Sequence, residues 1–233
     1  MSFTAESVAN ALAGVRERIT AAGGDGSVAI LPVTKGFGPE AIEAAVAAGA
    51  PAVGENYVQE LVAKLDELHE RAVAPPGVHL IGQLQTNKVR QTVGRVDVYE
   101  TVDRLSLARE LAKRAPGATV LIQVDTTGQP GKGGCPLDDV DALVDTARQL
   151  GLAVAGLMTV GPTPEQFGTD GPEAARAGFR AVRAMADRLA LGEVSMGMSD
   201  DLEVAVQEGS TQVRVGSALF GSRPVPLGRD RPR

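Results

Sequence analysis

The sequence predicts an α/β fold, a single (β/α)8 TIM-type barrel with one extra helix at its N-terminus. Three observations carry this expectation. Short, near-continuous apolar runs alternate with amphipathic helical stretches, the pattern of parallel strands covered by outside helices. About eight such strand–helix units fit within the 233 residues, the size of one barrel. No Gly-x-Gly-x-x-Gly turn follows the first strand, which weakens the alternative of an open, doubly wound sheet.

Residues 4–22 read as an amphipathic helix that Thr4 can cap, with Val8, Leu12, Val15 and Ile19 at helical spacing. After Gly23 and Gly24 the apolar run 28–34 makes the first strand. Pro39 suits the first turn of a helix over 39–48, where its missing N–H is harmless. Further strands are expected over 51–54, 78–82, 96–101, 118–125, 152–159, 193–196 and 212–215. Helices are expected over 57–71, 86–93, 104–114, 137–150, 172–191 and 200–208. The 137–150 segment carries Val140, Leu143, Val144 and Ala147 on one face and stops at Gly151. Residues 1–223 are read as one domain and the Arg/Pro-rich tail, 224–233, as disordered.

Composition narrows the function classes. Lys plus Arg number 23 against 29 Asp plus Glu, a net charge of −6, which argues against a general nucleic-acid binder. It leaves room for a small basic pocket. Cys135 is the single cysteine, so a disulfide framework and a cysteine-based zinc cluster are excluded. Two histidines exclude a His-rich metal site. No apolar stretch of about 18 residues exists, so no membrane partner is expected. The N-terminus shows no basic segment leading into an apolar run, and the expected compartment is the cytoplasm.

In such a barrel the chemistry sits where strands end. Lys35 ends the first strand before Gly36, so its stem emerges from packed surroundings. A partly desolvated lysine has a nucleophilic amine suited to Schiff-base chemistry, although a surface loop lysine fits the position equally well. After the last strand, Gly216 lets the backbone approach a ligand and Ser217 adds a hydroxyl, together opening a short helix toward an anion. Ser199, after the seventh strand, can add to the same corner. A tight turn with ordinary caps is the plainer account of these residues. Alternation points Arg214 into the barrel, where a ring nitrogen of a cofactor or an ordinary carboxylate would partner it. First and last strands are neighbours in a closed barrel, which brings Lys35 and this corner together.

The segments 32–35, 54–60 (GENYVQE), 79–88 (HLIGQLQTNK), 156–158, 195–201 (SMGMSDD) and 213–221 resemble the pyridoxal phosphate homeostasis protein family along essentially the whole chain. The resemblance implies the barrel of the alanine racemase N-terminal domain. It implies pyridoxal 5′-phosphate (PLP) carried as an aldimine on Lys35, with Arg214 toward the pyridine nitrogen. It also implies Asn56 beside the ring, and Ser199, Gly216 and Ser217 on the phosphate. Relatives often carry Thr where Ser217 stands. The implied role is intracellular PLP homeostasis without robust turnover, with apo-forms of PLP enzymes as candidate recipients. The loop after the fifth strand departs from the family: Gln129 stands where relatives carry an acid, while Lys132 matches a lysine that would be a second PLP contact. A solvated loop lysine is the simpler reading of Lys132.

Other residues are set aside. His79 reads as a hydrogen-bonded core histidine, Cys135 as a plain loop residue, and Asp200 and Asp201 as helix caps. Tyr57 is open between facing the ligand and packing. Two other functions compete with the carrier. A PLP-dependent amino-acid racemase needs a second acid/base, in racemases a tyrosine from a further domain, and the chain is expected to lack one. A cofactor-free lysine aldolase would more often place its lysine on a middle strand. The sequence does not give the oligomeric state; a monomer is compatible with it, because no extra interface element is evident.

Overall fold

The structure, a computed structural model, describes residues 4–74, 76–129, 132–163 and 168–222. The expected tail, 224–233, lies outside the described residues. The strands in chain order are β1 (Ala29–Pro32), β2 (Ala52–Glu55), β3 (Gly77–Leu80), β4 (Val98–Val102), β5 (Thr119–Asp125), β6 (Cys135–Pro136), β7 (Ala153–Thr159), β8 (Glu193–Ser195) and β9 (Gln212–Val215). All pairings are parallel, and β6 is a two-residue addition to β5. The other eight run in the order β1-β9-β8-β7-β5-β4-β3-β2. A bridge between Val33 and Gly54 joins the two ends of this path, so the sheet is a nearly closed barrel.

The helices are α1 (Ala5–Ala21), α2 (Pro39–Ala47), α3 (Val58–Glu70), α4 (Val89–Thr92), α5 (Leu105–Arg114), α6 (Val140–Gln149), α7 (Arg176–Arg188), α8 (Leu202–Gln207) and α9 (Ser217–Phe220). Thr4 caps α1 as expected. Its hydroxyl accepts from the Ser7 amide at 3.0 Å, and the Thr4 amide donates to Ser7 Oγ at 3.1 Å. Val8, Val15 and Ile19 on α1 are buried together with Val213, Val215, Leu202, Leu219 and Phe220. Each such aliphatic side chain contributes about 1.5–3 kcal/mol by leaving water. Because Val213 and Val215 face these helices, Arg214 between them faces the barrel interior, as the alternation predicts.

Two elements differ from expectation. The continuous helix over 172–191 is interrupted. Gly168–Ala175 is a 3-10 segment with Gly171 at φ 57°, and the α-helix starts only at Arg176. Pro172 follows that glycine and lacks the N–H that would carry the helix through. Cys135, expected in a loop, belongs to β6, is buried and pairs with Val124.

Candidate functional site

One cavity of about 480 Å³ opens at the C-terminal ends of the strands. Lys35, Asn56, Ser199, Arg214, Gly216 and Ser217, all six residues singled out from the sequence, line it. Val33, Phe37, Ile81, Val160 and Met198 give it apolar walls, and Asp200 stands among the lining residues. Such a mix of apolar wall and few converging polar groups is typical of small-molecule sites of roughly 300–1,000 Å³.

Lys35 sits on a turn that is fixed from both sides. The Thr34 amide donates to the Gly54 carbonyl at 3.1 Å, carrying the β1–β2 closure up to Lys35. The Thr34 carbonyl accepts from Lys64 Nζ at 2.8 Å, and the Thr34 hydroxyl donates to Glu55 Oε1 at 2.5 Å. Lys64 also pairs with Glu55 at 2.7 Å, both side chains being buried. Beyond Lys35, the Gly36 amide donates to Glu60 Oε2 at 2.9 Å. Glu55, Glu60 and Lys64 were not singled out from the sequence, although the first two belong to the GENYVQE stretch. Burial pushes the Glu55 carboxyl up from its ordinary pKa, against the pull of Lys64 and Thr34.

Arg214 is 4% exposed. Its Nη1 donates to Ser195 Oγ at 2.8 Å and its Nη2 to the Thr159 carbonyl at 2.7 Å. Ser195 passes the contact on, donating to Glu100 Oε2 at 2.6 Å. Glu100 Oε1 meets His79 Nδ1 at 2.6 Å and accepts from Gln212 Nε2 at 2.8 Å. Barrel interiors are usually filled by branched aliphatic side chains. Here a buried carboxylate and a buried guanidinium share the interior, bridged by one hydroxyl. Burial pushes the Glu100 carboxyl up, but the bond from His79 and the Arg214 charge outweigh it and the net pKa is lowered. Burial lowers the Arg214 pKa, while Glu100 and Asp201 oppose that fall. His79 is thus the hydrogen-bonded interior histidine that was expected.

At the β8 and β9 ends, Ser217 Oγ donates to Ser199 Oγ at 3.2 Å. The first amides of a helix have no intrahelical acceptor, so the start of α9 turns polar N–H groups toward this corner. A Cβ added to Gly216 would lie 3.2 Å from the Val33 carbonyl, so the small residue keeps β9 close to the Lys35 strand. Asn56 Oδ1 is buried and has no hydrogen-bond partner among the described residues, an unmet acceptor in a side chain of the cavity wall.

Several sequence readings change. Neither Ser199 nor the Asp201 side chain caps α8: Asp201 holds the cap position, but its Oδ1 accepts from the preceding Met198 amide at 2.6 Å. Asp201 Oδ2 is buried without a hydrogen-bond partner among the described residues, and burial raises the pKa of the carboxyl. Lys132 is not a solvated loop lysine. Its Nζ donates to the Gly161 carbonyl at 2.8 Å, half-buried and outside the cavity lining. Tyr57 is 53% exposed and Tyr99 is buried against Thr92; neither lines the cavity.

The model of the alanine racemase N-terminal domain family matches residues 10–224. A Pseudomonas aeruginosa protein named pyridoxal phosphate homeostasis protein is 40% identical over 96% of this chain and 97% of its own length. An Escherichia coli K12 protein of the same name is 37% identical over 93% and 97%. Among solved structures, PipY of Synechococcus elongatus with PLP bound superposes with a TM-score of 0.77 at 33% identity, covering 92% of this chain and all of that one.

Proposed function

The chain belongs to the pyridoxal phosphate homeostasis protein family, and on that premise we propose that it binds PLP in the cavity described above as a carrier, not a catalyst. The observation that carries the reading is the convergence of Lys35, Arg214 and the Ser199–Ser217 corner on one cavity. The fit is supported by the unmet Asn56 Oδ1, which a polar ligand can satisfy. Bound there, PLP supplies an aldehyde that reacts with amines and an electron-accepting ring.

Lys35 would hold the cofactor through its ε-amino group, kept in register by the Thr34 and Gly36 clamps. Arg214 would face the ring nitrogen. A guanidinium keeps that nitrogen unprotonated and the ring a weak electron sink, which disfavours carbanion chemistry. Ser199, Gly216 and Ser217 would hold the phosphate, and Asn56 would flank the ring. The racemase reading finds less support, because two-base proton transfer needs a second acid/base at the ligand and neither tyrosine lines the cavity. The proposal includes a cytoplasmic setting and apo-enzymes as recipients, with the buried thiol of Cys135 compatible with a reducing compartment.

The test is transfer. Loaded protein is mixed with an apo-PLP enzyme in the presence of a phosphatase that destroys free PLP. The carrier reading predicts reactivation of the enzyme where an equal amount of free PLP fails. Reactivation no better than with free PLP contradicts directed delivery. Solvent deuterium entering the α-carbon of alanine at the rate of a dedicated racemase contradicts the non-catalytic reading.

A further inference from the structure

Helix α1 stands outside the strand–helix alternation, yet its last turn reaches the cavity wall. Arg18 Nε donates to Glu203 Oε1 at 2.6 Å and Nη2 to Glu203 Oε2 at 2.9 Å, a two-pronged grip on α8. The same Nη2 donates to the Ser199 carbonyl at 2.8 Å. Ser199 in turn accepts from Ser217 at its hydroxyl, and both serines line the cavity. Beneath these bonds, Ile19 of α1 packs in one buried cluster with Leu202, Leu219, Phe220 and Phe37. The Phe37 and Phe220 rings lie 5.5 Å apart, linking the Lys35 turn to α9.

The arrangement has an electrostatic consequence. A peptide carbonyl turned toward a bound phosphate repels it, and so does an acid. Arg18 engages the Ser199 carbonyl from the α1 side while the Ser199 hydroxyl stays with Ser217 at the cavity. Arg18 also senses the charge of Asp200, the acid among the lining residues: the Glu203 bond raises the Arg18 pKa against burial, and Asp200 adds to the rise.

We infer that Arg18 is a positioning residue for the phosphate end of the cavity. It holds the Ser199–Ser217 corner in its anion-accepting form, so that α1 sets how fast a phosphorylated ligand leaves. The inference rests on the PLP reading above, but Arg18 itself need not touch the ligand.

The experiment compares two ligands on the wild type, Arg18→Ala and Glu203→Gln. PLP release is followed by stopped-flow absorbance into a trap, and the affinity for pyridoxal, which lacks the phosphate, is measured in parallel. Arg18→Ala should release PLP about tenfold faster, equivalent to about 1.4 kcal/mol, with pyridoxal affinity unchanged. Glu203→Gln keeps the arginine and loosens its grip; it should show the same selectivity at smaller size, and it decides the matter if Arg18→Ala fails to fold. Release at the wild-type rate overturns the inference. So does equal weakening of PLP and pyridoxal, which would mark a packing role. A wild type that takes up no PLP overturns the functional reading itself, a separate and distinguishable failure.

Discussion

Arg214 and Glu100 put opposite charges into the centre of the barrel, joined through the Ser195 hydroxyl. Removing one partner strands the other. Glu100→Ala should therefore lower stability by about 3–5 kcal/mol in urea unfolding, and a loss below about 1 kcal/mol would contradict the pairing. The acid limb follows from the same group. Its folded pKa lies below its ordinary 4.5, so on acidification the unfolded chain takes the proton first. The stabilisation is present above the ordinary carboxylate pKa and is lost below it, as pH falls through the lowered folded pKa. Glu100→Gln should flatten that part of the stability profile; an unchanged profile would contradict the assignment. Asp201, with a raised pKa, contributes with the opposite sign. At this scale the cavity-lining residues were legible. Lys35, Arg214, Gly216 and Ser217 announce themselves by standing at strand ends. Their supports were not. Ser195 and Glu100 are 95 positions apart and Arg18 and Glu203 are 185 apart, and nothing local in a sequence pairs a buried charge with so distant a partner.

Elements meet tightly where the segment after β3 passes the residue after β2. A Cβ added to Gly82 would lie 2.1 Å from the Asn56 carbonyl oxygen, closer than any real contact. Gly82→Ala should displace the Asn56 segment, lowering stability by about 1–3 kcal/mol and weakening PLP binding together. Unchanged binding, measured by the absorbance of the loaded protein, would contradict this account of how Asn56 is seated. Most strands and helices were readable within a few residues, because apolar runs and helical faces are strong local signals. The misread elements have local causes too. The expected helix over 172–191 obeys its periodicity only from Arg176, since Gly171 and Pro172 break the segment before it. The two-residue β6 is too short to have any periodicity, and it hid Cys135 in what looked like a loop.

For the molecule as a whole, an acidic chain that takes up an anionic ligand must do so locally, and the Ser199–Ser217 corner fits that requirement beside a net charge of −6. Global opening can be followed through Cys135, which is buried and has its thiol pushed up to about 11 by burial. It should resist thiol reagents at pH 8 in the native protein and react at once in denaturant; fast native labelling would contradict the packing of β6 against β5. Of the five lysines, Lys35 is the one proposed to carry the covalent chemistry. The most direct test is to load the protein with PLP, reduce with borohydride, digest and locate the added pyridoxyl mass. The account predicts one equivalent at Lys35, abolished in Lys35→Ala. A label spread over several lysines, or retained in Lys35→Ala, would contradict it.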